Sequence, residues 1–391
     1  MKNTIKLSLV AAVAVAGLTT NAAAGSLEDA IKDTTISGKA MVGYNYVQDK
    51  SGATDDSSNQ TEYDLDLTLT TKVNDTVSAT IGFQADHTVD VRNETTNTNG
   101  SDSITLTKLY FTAKTDVATI MVGKQKQPTP FLDDERGDGV VALIPAGPVT
   151  IAAGHISGLL AEQDITTAAV IGTFGPVNAS VWVLDVSNGS TDAVDATYLS
   201  NGVTELTAAV AAGKVAGYDG YSVNLSSKVG PVNLDFTHTD IDYAEKEDAS
   251  LTKLIASAKV ADVNLVLGYG VTNDNDNGRG DGVDLTGDHD AKSNFRLDQI
   301  QLDAFNDADA LLLGASMTFG KTTVGASYLM ATANDYNAGK DLDATELDLT
   351  VSYAMSKNFS ITGLYADTKA DQGSTNIIDT KNMELSLNYK F

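Results

Sequence analysis

Met383-Glu384-Leu385-Ser386-Leu387-Asn388-Tyr389-Lys390-Phe391 alternates apolar and polar residues without a break and stops on an aromatic. Period two is the period of a β-strand, whose successive side chains point to opposite faces. Met383, Leu385, Leu387, Tyr389 and Phe391 fall on one face, and Glu384, Ser386, Asn388 and Lys390 on the other. A chain that repeats this pattern must give its oily face either a protein core or a bilayer, and the remaining segments decide which.

The pattern recurs along the whole chain. Tyr63-Asp64-Leu65-Asp66-Leu67-Thr68-Leu69 alternates cleanly, with Glu62, Asp64 and Asp66 on its polar face. Tyr221-Val223-Leu225, Val232-Leu234-Phe236, Val263-Leu265-Leu267-Tyr269 and Leu347-Leu349-Val351-Tyr353 do the same, separated by Ser, Asn, Asp, Thr and Gly. One set of joints is tight: Asn74-Asp75, Thr115-Asp116, Gly175-Pro176, Gly230-Pro231, Ala261-Asp262, Gly320-Lys321 and Ser356-Lys357. The intervening set, at 47–60, 87–101, 273–305 and 370–380, is long and polar. Alternating short and long connections are the mark of an all-β transmembrane antiparallel barrel with short periplasmic turns and long external loops. Val140 to Ile144, Ala193 to Leu199 and Glu205 to Ala211 alternate poorly, so the strand number is an even one of about 16 to 20, with 18 preferred. Between Leu106 and Phe111 the alternation breaks, which a bulge or a subunit contact would explain.

Residues 1–24 read as a signal peptide: Lys2 and Lys6, an apolar run from Leu7 to Leu18, then Ala22-Ala23-Ala24. That run is short of the ~20 residues a spanning helix needs, and no later stretch reaches that length. Residues 25–391 carry no composition break and read as one barrel. Ser26 to Asp33 has Leu27, Ala30 and Ile31 at helical spacing, which predicts a turn or two of helix. The net charge of -26 argues against nucleic acid and anionic lipid as partners, since both need a basic footprint, while the oily strand faces make outer-membrane lipid the expected surrounding medium. With no cysteine there is no disulfide, thiol chemistry or zinc-thiolate site.

One connection departs from the others. At about 126–139, Lys126-Gln127-Pro128-Thr129-Pro130-Phe131-Leu132-Asp133-Asp134-Glu135-Arg136-Gly137-Asp138-Gly139 combines two prolines, two large apolar residues and a dense charge cluster. Pro excludes it from a central ladder, and its apolar pair suits a loop folded inward to narrow a wide barrel. Asp133, Asp134, Glu135 and Asp138 would give that constriction a negative field, balanced by Lys124, Lys126 and Arg136, and acidic rings favour cations.

The chain resembles the campylobacter-type major outer membrane porin family. The matching residues are Leu7 to Ala12, Leu27-Glu28-Asp29-Ala30-Ile31-Lys32-Asp33 with Ser37-Gly38, Gly123-Lys124-Gln125, Asp138-Gly139 and the terminal Phe391. The resemblance implies an 18-stranded barrel, a homotrimer, an inward third loop and passive diffusion of small hydrophilic solutes. It also makes Tyr389 and Phe391 similar to the C-terminal signal read by barrel-assembly machinery. Members carry arginine in the first strand, where this chain reads Met41-Val42-Gly43-Tyr44-Asn45-Tyr46, and only Arg92, Arg136, Arg279 and Arg296 occur in all. The expectation is therefore a non-enzymatic, cation-preferring channel in the bacterial outer membrane that passes cations and small hydrophilic solutes. The alternative is a barrel acting as an adhesin or binding protein through acidic loops.

The remaining motifs carry less. Asn273 to Gly278 with Asp281 and Asp284 has EF-hand-like spacing, but asparagine replaces the first aspartate and aspartate the terminal glutamate. No cofactor is expected, calcium being the one ion the sequence leaves open. The two Arg-Gly-Asp tripeptides, at Arg136 and Arg279, are expected by chance in a Gly/Asp-rich chain. His87, His155, His238 and His289 accompany no nucleophile motif. Trp182, between Val181 and Val183, is expected at a membrane interface or subunit contact.

Overall fold

The computed structural model describes residues 34–51, 55–90, 103–126, 129–132, 136–159, 163–187, 189–190, 214–244, 247–274, 282–285, 291–337 and 340–391. The expected signal peptide, the helix at 26–33 and the strands at 193–199 and 205–211 lie outside them.

The strands are β1 (Thr34–Asp49), β2 (Asp56–Lys72), β3 (Val77–Asp90), β4 (Ser103–Lys114), β5 (Thr119–Lys126), β6 (Arg136–Ala146), β7 (Val149–Leu159), β8 (Gln163–Phe174) and β9 (Val177–Val186). A short ribbon of β10 (Gly189–Ser190) and β11 (Lys214–Val215) stands apart. Then come β12 (Tyr218–Val229), β13 (Val232–Tyr243), β14 (Ala249–Val260), β15 (Val263–Thr272), β16 (Ala308–Phe319), β17 (Thr322–Asn337), β18 (Lys340–Ala354), β19 (Phe359–Gln372) and β20 (Thr375–Lys390). All but the ribbon form one 18-stranded antiparallel sheet, and β1 pairs with both β2 and β20, so the sheet is a closed barrel. Closure leaves no open edge, so the wall's backbone groups pair strand to strand around the whole ring.

The two faces are chemically distinct. Tyr44, Val183, Leu267, Val351 and Leu385 are among the large apolar residues left exposed on the outer wall. Met383, Leu385, Leu387, Tyr389 and Phe391 all point outward, and Asn382, Glu384, Ser386 and Asn388 point in. An apolar belt of this extent on an isolated barrel has lipid as its natural neighbour.

At one end the strands are joined by the tight turns the sequence singled out, with Gly147-Pro148 as a further one. At the other end the outcome is mixed. The polar stretches 47–60 and 370–380 are largely strand: β1 pairs with β2 as far as Asp49↔Asp56, and β19 with β20 as far as Gln372↔Thr375. Above the lipid a strand needs no apolar face, so its ladder continues in residues that read as loop. Between β3 and β4 the register shifts at Gly82/Phe83, which is the bulge expected near Lys108. Trp182 is not at the lipid interface. Its neighbours Val181 and Val183 face out, so the indole faces in and packs against the interior apolar cluster.

Candidate functional site

The interior is crossed by two loops. The connection from β5 to β6 is shorter than its charge density suggested, because Lys126 pairs with Arg136, Gln125 with Gly137 and Lys124 with Asp138 in the ladder. Its described part, 129–132, turns inward and buries Phe131 and Leu132 completely or nearly so. The connection from β15 to β16, read as an external loop, also folds inward. Leu285 donates its N–H to Phe131 O and Ser293 to Pro130 O, each at 3.0 Å. The two loops start close to half-way round the ring from one another, so their contact bridges the lumen.

Residues far apart in sequence hold the longer loop in place. Phe295 and Leu302 lie over Gly268 and Gly270 of β15, where a Cβ on Gly270 would sit 2.9 Å from each side chain. Only glycine lets the loop approach the wall this closely. The Lys253 ammonium of β14 donates to the carbonyls of Lys292 and Asn294, and Tyr243 Oη donates to Gly282 O at 2.8 Å. Glu346 of β18 accepts the N–H groups of Gln299 (2.8 Å) and Ile300 (2.6 Å), and Asp348 accepts that of Asp298. Asp298 Oδ2 in turn accepts from Asn382 Nδ2 of β20 at 3.2 Å. Every buried charge here meets hydrogen-bond partners, as a low-dielectric interior requires.

The inner wall is chemically uneven. Val141, Ile156, Ile165, Leu184, Ile241 and Leu251 project inward and join Phe131, Phe295 and Leu302 in one apolar cluster, which continues through Leu329 and Leu342 on β17 and β18. The inner faces of β1 to β4 and β20 contribute polar and charged groups. Lys39 pairs with Asp64 at 3.0 Å, and Lys108 lies 3.8 Å from Asp66 while donating to Thr68 at 3.1 Å. Glu62, Asp64 and Asp66 share the inward face with Lys39, and Glu384 lies within electrostatic reach of Glu62 and Asp298.

Of the expected constriction residues, Asp133, Asp134 and Glu135 lie outside the described residues. Arg136 starts β6 and donates to Gln84 at 3.3 Å; Lys124, Lys126 and Asp138 are ladder residues. Tyr389 and Phe391 stack on the outer wall at 5.6 Å, and Phe391 exchanges both backbone hydrogen bonds with Gly38. His155 and His238 lie on the outward face, bonded to Thr166 and to Tyr221 and Thr252. Asp284, from the EF-hand-like run, receives the N–H of Ala291 at 2.6 Å.

What the sequence reading missed is residues 282–305. Their acidic composition resembles a solvated loop, but Val283, Leu285, Phe295, Leu297, Ile300 and Leu302 supply the apolar face that docks.

The family description "Gram-negative porin" matches residues 8–373. Among solved structures, Pseudomonas aeruginosa OpdL superposes with a TM-score of 0.66 at 12% identity, over 92% of this chain and 99% of its own. Pseudomonas aeruginosa OccK2 (OpdF) in complex with glucuronate gives 0.64 at 12%, over 92% and 99%. Acinetobacter baumannii OccAB4 gives 0.62 at 13%, over 92% and 99%. At such identities the likeness shows the barrel fold alone. No curated protein matches the chain.

Proposed function

Because the chain belongs to the Gram-negative porin family, we propose that it forms a water-filled, cation-preferring channel for passive diffusion of ions and small hydrophilic solutes across the bacterial outer membrane. The observation that carries the cation preference is the charge of the polar half of the lumen. Glu62, Asp64, Asp66, Asp298 and Glu384 face Lys39 and Lys108, and both lysines are already engaged by Asp64 and Asp66. Uncompensated carboxylates beside a low-dielectric wall raise the local cation concentration.

The charges around the β5–β6 loop complete the same reading: Asp133, Asp134, Glu135 and Asp138 against Lys124, Lys126 and Arg136. The narrower campylobacter-type assignment, with its homotrimer and its recognition by barrel-assembly machinery through Tyr389 and Phe391, is supported by the sequence motifs.

Purified protein in a planar bilayer under a KCl gradient should give stepwise currents with a cation-selective reversal potential. A silent barrel would overturn the channel and favour the adhesin. Neutralising Asp133, Asp134 and Glu135 together should weaken the selectivity; an unchanged reversal would leave the β15–β16 loop and the wall as its source.

A further inference from the structure

Building on the channel reading, we infer that the barrel is electrically polar along its axis and conducts asymmetrically, passing more current when the outer side is positive than when the periplasmic side is.

In a barrel of this kind the tight turns mark the periplasmic end. Most strands that descend to it finish in lysine. Lys72, Lys114 and Lys390 are the last residues of β2, β4 and β20, and Lys228 and Lys259 the last but one of β12 and β14. The turns after β16 and β18 add Lys321 and Lys357. Val229, Val260 and Phe391 beside them are exposed on the outer wall, so Lys228, Lys259 and Lys390 alternate to the inner face, at the rim of the bore. Their cross-strand partners are Asn233, Asn264 and Lys39, none of which supplies a negative charge. Of the carboxylates in these turns, Asp75 is taken up by Lys72 at 2.9 Å. Among the described residues Lys114, Lys228, Lys259, Lys357 and Lys390 enter no ion pair.

The opposite mouth has the reverse sign. Asp49 stands opposite Asp56 where β1 meets β2, and Asp219 of β12 stands opposite both Asp185 of β9 and Asp242 of β13. Like charges placed directly across a ladder destabilise it. These are gathered at the end where the described connections add Glu247, Asp248, Asp274 and Asp307. Asp219 and Lys228 share one strand, and at about 3.3 Å per residue roughly 30 Å separates them. That is about three screening lengths in 0.1 M salt, so each mouth acts separately on the ions that enter through it.

The direction follows from the signs. With the outer side positive, cations enter through the acidic mouth and anions through the basic one, each where its own concentration is raised, and the bore fills with carriers. With the voltage reversed, each ion enters through the mouth that repels it, and the bore is depleted. No part of the protein has to move. The acidic wall between the mouths sets the overall preference for cations, and the mouths set the direction.

The test is the current–voltage curve of single channels in symmetrical KCl. At about 0.01 M, where the screening length is about 30 Å, the currents at opposite voltages should be unequal, and their ratio should return to one at about 1 M, where it is about 3 Å. Lys228→Gln, Lys259→Gln and Lys390→Gln combined should lower the ratio, and Asp219→Asn with Asp242→Asn should lower it from the other mouth. Val117→Cys, biotinylated in a chain without other cysteine, orients each channel, because Val117 is exposed in the β4–β5 turn and streptavidin perturbs the current only from that side. Equal currents at low salt, a ratio unchanged in both sets of variants, or the larger current with the streptavidin-sensitive side positive would overturn the inference. Open channels with symmetrical currents sink the axial polarity alone, whereas a silent barrel sinks the channel reading beneath it.

Discussion

Glu346 on β18 receives the backbone N–H of Ile300 at 2.6 Å, 46 residues back in the chain and inside the lumen. With Gln299 donating to the other carboxylate oxygen, this side chain, fully buried, fixes the tip of the inward loop to the wall. Glu346→Ala leaves two buried N–H groups without acceptors, at a cost of about 1–3 kcal/mol each. The loop should loosen while the barrel stays closed. Single-channel current noise should rise, and limited proteolysis should cut within 282–305; Glu346→Gln, which keeps one acceptor, should show a smaller effect.

Gly270 tests the same docking from the wall side. A Cβ there would meet Leu302 and Phe295 at 2.9 Å, so Gly270→Val must displace the loop. Phe295→Ala instead removes a buried ring, for which core truncations cost about 3–5 kcal/mol. Both should raise the unitary conductance, and the size cut-off for neutral sugars in a swelling assay should rise with it. Unchanged conductance in both would place the narrowest point elsewhere.

Asp64→Asn with Asp66→Asn should shift the reversal potential toward zero, since two carboxylates leave the polar half of the lumen and two lysines lose their partners. Lys39→Gln should shift it the other way. The effect should shrink at molar salt, where the screening length falls to about 3 Å.

Phe391→Ala should lower the amount of assembled barrel without changing the conductance of channels that do form. Its ring stacks on Tyr389 outside the lumen, and its backbone pairing with Gly38 does not need the side chain. Heat-modifiable mobility on gels measures the assembled fraction.

The barrel was legible because lipid imposes one rule on every strand: Leu347 to Tyr353 and Met383 to Phe391 alternate, and their apolar members lie on the outer wall. The rule lapses beyond the bilayer. Residues 47–49 and 56–60 therefore read as loop although they pair, because hydrogen bonds rather than side-chain polarity hold them. Lumen-facing segments follow no such pattern either. Phe131 gave its loop away through two adjacent apolar residues that follow a pair of prolines. Phe295, Ile300 and Leu302 did not, because their spacing is irregular and the glycines that receive them lie on β15, outside the loop itself. Trp182 was misplaced for a related reason: tryptophan is common at membrane interfaces, but here an apolar cluster inside the barrel offers a second apolar destination.

The attachments of the β15–β16 loop also impose an order of events. Tyr243, Lys253, Glu346 and Asp348 fasten the loop from β13, β14 and β18, and the bond from Asn382 to Asp298 comes from β20, the last strand, which itself must pair with β1. The strand that closes the wall therefore also adds the final fastening of the loop within it, so the seam of the barrel and the floor of its interior are completed by one segment.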